Sequence, residues 1–335
     1  MSKPIIAITM GDAAGIGPEL VVKILSQGMA YETCRPFVIG DPQVMEEACR
    51  LLGAELQLNV IEELSEAPFS PASIDILCPA EARIGRMPPG KVSPVAGKAA
   101  ILCLQRAFEM AMKRKVHGVV SAPLNKEAFH LAGYRYRDEL QCLADFTKSS
   151  EAFIMGVANS IWTVTVTEHI PFRDIANLVK KERVLSYIGK MHDALRKAGF
   201  SDPRIAVAAL NPHAGEGGIL GREEIEEIAP AIEPARQQGI NVRGPVSADV
   251  VFAKALAGDF DGVVFMYHDQ ANIARKLQPM QKGATIFMGL PVVCGTTAHG
   301  TAFDIAGKGI ANPGSLEAAL KYTVQLSFPP ASGGK

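Results

Sequence analysis

The stretches Ile205–Leu210 (IAVAAL) and Gly262–Met266 (GVVFM) decide the fold class. Both are continuous apolar runs rather than alternations of apolar and polar residues, which is the pattern of strands buried on both faces. Further strand-like runs alternate with amphipathic helical patterns along most of the chain. This alternation predicts an α/β fold with a parallel sheet covered by helices.

The remaining elements follow from the same periodicities and from the punctuation by Gly and Pro. The predicted strands are Ile5–Thr9, Pro36–Gly40, Ile74–Cys78, Gly118–Ser121, Ala152–Ala158, Trp162–Thr167, Arg204–Leu210, Gly262–Tyr267, Thr285–Met288 and Pro291–Cys294. The predicted helices are Pro18–Leu25, Ala96–Lys113, Glu182–Lys197, Glu223–Gln237 and Leu316–Leu326.

Length and composition exclude several classes of protein. The chain has 335 residues, a net charge of −1, 48% hydrophobic residues and 21% charged residues. It lacks the basic excess of a nucleic-acid binder and the polarity of a disordered chain. Its length favours two domains. We expect no membrane segment and no export signal, six buried thiols and a cytoplasmic location, because no long apolar helix, cleavage motif or C-x-x-C pair occurs.

Three histidines share one local context. His169, His213 and His268 each lie just past the carboxyl end of a predicted buried strand. Ligands of open α/β sheets bind at this edge, and three imidazoles from neighbouring strands can hold one divalent metal. The alternative is that each histidine is a polar loop residue with local hydrogen bonds. The sequence pattern leaves both hypotheses open, the shared metal site and the three separate loop residues.

Two glycine-rich loops offer backbone groups to a ligand. Met10–Glu19 (MGDAAGIGPE) follows the first strand and opens a helix, which favours anions, although its spacing is neither a dinucleotide fingerprint nor a P-loop. The alternative is a plain tight turn. Asn211–Gly221 surrounds His213 with glycines and suits close approach of a substrate.

Asp249 and Lys276 are the charged residues closest in sequence to the histidine loops. Lys276 follows His268 and could hold a substrate phosphate or carboxylate, or move a proton. The alternative for Lys276 is a solvated lysine on a helix face.

Several motifs together resemble the 4-hydroxythreonine-4-phosphate dehydrogenase family of vitamin B6 biosynthesis and its paralogues. They are MGDAAGIGPE, SAPLNKEAFHLAGY, TEHIPFRDI, LNPHAGEGGILGREE, GPVSAD, MYHDQ and AHGTAFDIAGKG, in family order from residue 10 to residue 309. The resemblance implies an isocitrate/isopropylmalate dehydrogenase-like fold with two α/β/α domains around a cleft. We expect residues 1–135 with 285–335 in one domain and 136–284 in the other. It also implies a homodimer with the active site at the interface.

The resemblance also implies roles for individual residues. His169, His213 and His268 match the family's metal ligands, for Zn, Mg, Mn or Co. Lys276 matches a substrate-binding lysine, and Lys276 or Asp249 would act as the catalytic base. NAD is the expected oxidant, without a Rossmann fingerprint, because this fold binds NAD through other loops.

The chain departs from the biosynthetic members at the substrate. It has Asp138-Glu139-Leu140-Gln141 in place of Gly-His-Thr-Glu, and Thr285 and Cys294 where those enzymes carry Asn and Arg. Loss of the arginine removes a bidentate clamp for phosphate or carboxylate. We therefore expect Asp138, Glu139, Thr285 and Cys294 at the substrate, and a closer likeness to the catabolic members of the family.

The uncharged stretch 283–303 and the motif that follows it are expected to line the NAD pocket. The candidate contacts are His299, Gly300, Thr301 and Asp304. The alternative is that these residues only brace a turn.

The resulting expectation is an NAD- and metal-dependent dehydrogenase. It would oxidise the C3 hydroxyl of 4-phospho-D-threonate or 4-phospho-D-erythronate, with decarboxylation to dihydroxyacetone phosphate and CO₂. The alternatives are the B6 biosynthetic activity and a cis-dihydrodiol dehydrogenase. Outside this class stand a metal-dependent hydrolase using zinc-bound hydroxide and a non-enzymatic binding protein.

Overall fold

The computed structural model describes residues 3–278 and 283–327. Its strands are β1 (Ile5–Thr9), β2 (Arg35–Ile39), β3 (Gln57–Ile61), β4 (Ser73–Leu77), β5 (Gly118–Ser121), β6 (Phe153–Ala158), β7 (Ile161–Thr167), β8 (Ile205–Ala208), β9 (Val242–Val246), β10 (Gly262–Tyr267), β11 (Gly283–Met288) and β12 (Val293–Thr297).

The helices alternate with these strands. They are α1 (Gly17–Ser26), α2 (Met29–Thr33), α3 (Pro42–Leu52), α4 (Pro94–Met112), α5 (Lys126–Leu131), α6 (Glu139–Thr147), α7 (Ile175–Leu178), α8 (Lys181–Lys197), α9 (Ala229–Gln237), α10 (Ala248–Leu256), α11 (His268–Lys276) and α12 (Gly314–Ser327). A π-helical turn, Glu224–Ile228, precedes α9. The fold is α/β, as predicted, and within the described residues no helix is long and apolar enough to cross a bilayer.

The described residues form two compact units. Unit 1 contains residues 3–153 and 284–327, and unit 2 contains residues 154–278 with Gly283. Unit 1 is therefore discontinuous in sequence. Residues 136–153, which the sequence analysis assigned to the second domain, belong to unit 1.

The sheet of unit 1 has the strand order β3-β4-β2-β1-β5-β12-β11. All neighbours are parallel except β11, which is antiparallel to β12. Helix α12 packs on β5 and β12, where Gly118 and Gly295 leave room for the side chain of Thr323.

The sheet of unit 2 has the order β6-β7-β10-β8-β9. Helix α8 covers one face, and Gly262 of β10 leaves room there for Met191 and Leu195. The alternating residues Val263 and Phe265 of β10 face the apolar cluster of α10 on the other side. The result is a three-layered α/β/α unit, as the buried apolar runs predict.

The predicted parallel sheet has two antiparallel pairs. Strand β6 is antiparallel to β7, and β11 is antiparallel to β12. A parallel pair needs a long crossover, and only a short connection joins the two strands of each of these pairs. Continuous apolar runs identify burial on both faces but not strand direction.

Strands β3 and β9 were not predicted from the sequence. Each lies at an edge of its sheet, so its residues are only partly buried and mixed in character. All six cysteines are free, and all are buried except the half-buried Cys78.

Candidate functional site

Adjacent parallel strands bring two of the candidate histidines together. Strands β7 and β10 are paired in register, with Thr167 opposite Tyr267. His169 follows β7 and His268 follows β10, so both imidazoles stand at the carboxyl edge of unit 2. Their ring centroids are 5.3 Å apart.

Glu168 completes a compact group with these two histidines. One ligand atom from each of Glu168, His169 and His268 lies within 4.8 Å of the other two. His169 is exposed, and Glu168 and His268 are half-buried. Two imidazoles and a carboxylate are a donor set that suits divalent transition metals, so the residues present fit such an ion.

Asp269 orients the imidazole of His268. The Nδ1 atom of His268 lies 2.7 Å from Oδ1 of Asp269. An ionised carboxylate only accepts hydrogen bonds, so Nδ1 donates and Nε2 keeps its lone pair. Metal-binding histidines are commonly held in this way by a second carboxylate.

Thr165 holds the Glu168 carboxylate, and the charged side chain of Arg275 lies near it. The Thr165 hydroxyl donates to Oε1 of Glu168. The Arg275 side chain lies against Gly156 of β6, where a Cβ would overlap the guanidinium, and it donates to Asn272. Burial lowers the pKa of Arg275, while the charge of Glu168 raises it.

His213 lies on a separate loop of unit 2 with an unusual backbone. Strand β8 neighbours β10, as the three-histidine hypothesis requires, but His213 is not part of the Glu168–His169–His268 group. Residues 213–217 all have positive φ, among them His213 at 51°, Ala214 at 55° and Glu216 at 43°. This left-handed conformation costs about 1–2 kcal/mol for each residue that is not glycine. Strain of this kind is concentrated at functional sites.

A buried carboxylate, Glu224, anchors the start of this loop. It is 2% exposed. It accepts hydrogen bonds from the amides of Leu210 (2.8 Å) and Asn211 (2.7 Å) and from Nδ2 of Asn211 (2.9 Å). Glu223 also accepts from Nδ2 of Asn211, at 2.6 Å. The anchor offsets the strain and fixes the direction in which the loop leaves β8.

Asp249 and Lys276 occupy different positions relative to the histidines. Asp249, in the first turn of α10, accepts from the Ser247 hydroxyl at 2.6 Å, and this bond together with the nearby His213 lowers its pKa. Lys276 is exposed at the end of α11, which His268 begins. Eight residues of helix separate His268 and Lys276 by about 12 Å along the helix axis.

The substrate candidates of unit 1 surround the carboxyl end of β5. Asp138 caps α6 by accepting from the amide of Gln141 at 2.9 Å. Glu139 follows it, and its Oε1 is shielded from solvent without a hydrogen-bond partner. Burial raises the pKa of Glu139 to about 7. A hydrogen bond with Ser121 lowers this pKa, but its effect is smaller than that of burial. Cys294 is fully buried, and burial together with the Glu139 charge raises its thiol pKa.

A row of hydroxyls crosses the sheet at this level. Thr9, Ser121, Thr296 and Thr285 are successive partners on β1, β5, β12 and β11, so their side chains share one face. Thr285 is half-buried, and the Thr9 hydroxyl has no hydrogen-bond partner. The Ser121 and Thr296 hydroxyls are buried and donate to the backbone carbonyls of Ala122 (3.2 Å) and Ser121 (2.9 Å), so these two are committed to the sheet.

The loop Met10–Glu19 turns tightly between β1 and α1. Asp12 is fully buried; its Oδ1 accepts from the amide of Ala14 at 2.8 Å, and its Oδ2 has no partner. Burial raises the pKa of Asp12 to about 6. Beside this loop lies a cleft of about 330 Å³, lined by Ala13, Gly15, Pro18, Glu19, Val44, Glu47, Ala48, Arg50, Leu51, Arg86, Met87, Pro89 and Gly307.

Of the four candidate NAD contacts, Thr301 lies next to this loop, and none of the four lines the cleft. Thr301 is buried, and its carbonyl accepts from the amide of Ile16 at 3.1 Å. Nδ1 of His299 lies 2.9 Å from the carbonyl oxygen of Gly300. Both Gly300 and Asp304 are exposed. A larger cleft of about 870 Å³, at the ends of β3 and β4, is lined by none of the candidate residues.

Sequence reasoning missed Glu168, Glu224 and Ser121. A signal for Glu168 was present, because it precedes His169 directly after a buried strand. Glu224 and Ser121 carried no such signal, since their roles depend on contacts with residues far along the chain.

The chain is similar to known proteins over nearly its whole length. The family model for the pyridoxal phosphate biosynthetic protein PdxA matches residues 32–323. D-threonate 4-phosphate dehydrogenase of Cupriavidus necator is 43% identical over 325 residues, which cover 97% of each chain. A crystal structure of a 4-hydroxythreonine-4-phosphate dehydrogenase from Burkholderia phymatum, 40% identical, superposes with a TM-score of 0.83 and covers 97% of this chain and 99% of that one.

A more distant structure supports the fold class alone. Isocitrate dehydrogenase from Methylococcus capsulatus is 15% identical, with a TM-score of 0.51, and the match covers 98% of this chain and 87% of that one. The family match spans most of the sequence, and the relatives that carry it are dehydrogenases. The chain is therefore an oxidoreductase that belongs to the PdxA family.

Proposed function

We propose that the chain is an NAD- and divalent-metal-dependent dehydrogenase of a phosphorylated four-carbon hydroxy acid. The substrate is 4-phospho-D-threonate or its epimer 4-phospho-D-erythronate, oxidised at the C3 hydroxyl. Decarboxylation then gives dihydroxyacetone phosphate and CO₂. The similarity to D-threonate 4-phosphate dehydrogenase favours this substrate class.

The observation that carries the proposal is the donor group at the ends of β7 and β10. His169 and His268 would hold the metal, and His213 is the third histidine candidate. When bound, a divalent ion supplies Lewis acidity for the alcohol and for the ketone formed from it. Zn, Mg, Mn and Co are the candidates; imidazole ligands suit zinc and cobalt better than magnesium.

Residues around the donor group would move the proton and hold the substrate anions. Asp249 is ionised, because its pKa is lowered, and stands beside the His213 loop as a candidate base. Lys276 would bind the phosphate or carboxylate by charge. At about 12 Å along α11 from His268, it is better placed for a distal anion than for the C3 proton.

Unit 1 would recognise the hydroxylated part of the substrate and the cofactor. Glu139 and Asp138 stand beside the row of hydroxyls that includes Thr285. Cys294 lies buried against Glu139 and would shape the pocket rather than contact a charged group. NAD supplies the hydride acceptor, and His299, Gly300, Thr301 and Asp304 are proposed to lie at its adenosine end.

The active protein is proposed to be a homodimer. Its proposed partner molecule is a small phosphorylated acid, the substrate. His213 lies outside the group formed by Glu168, His169 and His268, so a site completed at a subunit interface would have a use for it. Sedimentation at micromolar concentration would show a species of about twice the chain mass; a single-chain mass would reject the dimer.

The experiment is one NAD-reduction assay over a panel of substrates. The panel contains both phospho-epimers, their unphosphorylated acids, phosphohydroxythreonine and an aromatic cis-dihydrodiol. Turnover of a phospho-epimer and little of the others is expected. Comparable turnover of the unphosphorylated acids or the dihydrodiol contradicts the phosphate requirement. Absence of NADH with every member contradicts the dehydrogenase and favours a metal-dependent hydrolase or a binding protein.

Metal analysis of two matched variants tests the histidines. His213→Ala is expected to lose metal and activity while remaining folded. His192→Ala, on α8 and outside the donor group, is the control and should keep both. Equal metal content in the two variants would show that His213 is not a ligand.

A further inference from the structure

We propose that Glu168 is a direct ligand of the divalent metal, so that one chain supplies two imidazoles and a carboxylate from the ends of β7 and β10. This inference rests on the proposed function in so far as that function requires a metal ion. It adds a negatively charged ligand to a site that sequence reasoning built from histidines alone.

Strand register places the Glu168 carboxylate beside both imidazoles. Thr167 and Tyr267 are partners at the last residues of β7 and β10. The next residues, Glu168 and His268, therefore leave the sheet side by side, with His169 one position further. Their ligand atoms all lie within 4.8 Å of one another. Ligands about 2.1 Å from one ion are roughly 3–4 Å apart, so small side-chain movements close the group on a cation.

The donors are prepared for a cation by their own hydrogen bonds. Oε1 of Glu168 accepts from the Thr165 hydroxyl, which leaves Oε2 available. Asp269 accepts a hydrogen bond from Nδ1–H of His268 and leaves Nε2 available. A carboxylate also offsets part of the charge of a dication, which two neutral imidazoles cannot do.

Arg275 is the competing partner for Glu168. Within the described residues it forms no ion pair with Glu168, although its positive charge lies close enough to be felt. Its guanidinium donates to Asn272 and packs on Gly156, and its Nε has no partner. The charge of Arg275 therefore lies near the carboxylate without pairing with it.

The test is metal affinity in the full-length protein, measured by competition with a chelator for Co²⁺. Glu168→Gln keeps the size and the Thr165 hydrogen bond but removes the charge. Asp174→Asn removes one carboxylate from the same segment, outside the donor group, and is the matched control. Loss of an outer partner of a ligand lowers affinity by about 10–100-fold. We expect Glu168→Gln to lose at least about 100-fold and Asp174→Asn to change less than about threefold.

The visible spectrum of bound Co²⁺ provides a second readout, because its bands depend on the number and type of ligands. Glu168→Gln should shift these bands and Asp174→Asn should not. If Glu168→Gln does not fold, Glu168→Asp takes its place as the test variant. It keeps the negative charge near Arg275 but moves the carboxylate away from the two imidazoles. It should also weaken Co²⁺ binding and shift the bands.

Two results would overturn the assignment. One is an unchanged affinity and spectrum in a folded Glu168 variant while His169→Ala loses the ion; Glu168 would then be only the counter-ion of Arg275. The other is a wild-type protein that binds no Co²⁺, which rejects the metal requirement as well. If the wild-type protein binds Co²⁺ through Glu168 but none of the tested substrates leads to NAD reduction, the proposed function alone is rejected.

Discussion

Replacing Glu224 should release the loop that carries His213. The carboxylate receives three hydrogen bonds from Leu210 and Asn211, at 2.7–2.9 Å, and is 2% exposed. Glu224→Gln preserves one oxygen for the two backbone amides. The substitution removes the charge, however, and places the NH₂ group of the new glutamine against Nδ2 of Asn211. Because both groups are donors, the hydrogen bond between them is lost.

The magnitude follows from these contacts. A hydrogen bond to a charged group contributes about 1.5–3 kcal/mol, and a neutral one about 0.5–1.5 kcal/mol. Glu224→Gln loses one charged bond and weakens two, so a loss of about 3.5–6 kcal/mol is expected from contacts alone. Relaxation of the left-handed run returns part of its strain, about 1–2 kcal/mol per non-glycine residue. The net loss should be about 2–4 kcal/mol.

Two measurements check this result. Urea unfolding gives the loss of stability, and hydrogen exchange reports the amides of Leu210 and Asn211 directly. Glu223→Gln is the control, because the half-buried Glu223 accepts from Nδ2 of Asn211, whereas the amides of Leu210 and Asn211 donate to Glu224. It should cost less than about 1 kcal/mol and leave both amides protected. If the two variants lose equal stability and both keep the amides protected, Glu224 does not anchor the loop.

Three further outcomes are expected. Gly97→Ala should lower the free energy of unfolding in urea by about 1–3 kcal/mol, because the new Cβ would overlap the backbone of Ala128. Gly189→Ala is the control, since it has open space in the middle of α8, and it should raise the free energy of unfolding by about 0.4–1 kcal/mol. Equal effects of the two substitutions would contradict the contact at Gly97. The pKa of Asp12 is raised from 3.8 to about 6. The ionised form of Asp12 therefore opposes folding. This penalty grows between about pH 4 and pH 6 and is constant at higher pH, so the stability of Asp12→Asn relative to wild type should rise by about 2 kcal/mol between pH 4 and pH 7. A difference that is constant across this range would refute it. Zn²⁺ at 100 times its dissociation constant should stabilise wild type by about 2.7 kcal/mol, read from thermal unfolding; the same gain in His169→Ala would exclude that residue as a ligand.

The central strands and the class of fold could be predicted because their apolar runs are local signals. Gly118–Ser121 and Gly262–Tyr267 were predicted with the bounds that the structure has. Helix α11 was not predicted, because its polar sequence His268–Lys276 has low apolar content and follows a strand without a turn residue. Its helical state depends on packing against β10 and β7.

The candidate site was predictable only in part. That His169 and His268 follow buried strands is visible in the sequence, but the order β7-β10-β8 and the register that aligns them are long-range properties. The left-handed run at His213 opposes the local preferences of His, Ala and Glu. It exists because Glu224 holds the preceding residues, a contact that no spacing rule reveals.

The discontinuity of unit 1 has a consequence for biosynthesis. Strand β12 pairs with β5, although about half of the chain separates them. During translation, β5 remains an open strand edge while all of unit 2 leaves the ribosome, since domains form in the order of their synthesis. Exposed edges of this kind template aggregation. A stalled or C-terminally truncated polypeptide would therefore carry a complete unit 2 beside a sheet that lacks an interior strand, and such nascent chains should depend on chaperones more than the finished protein does.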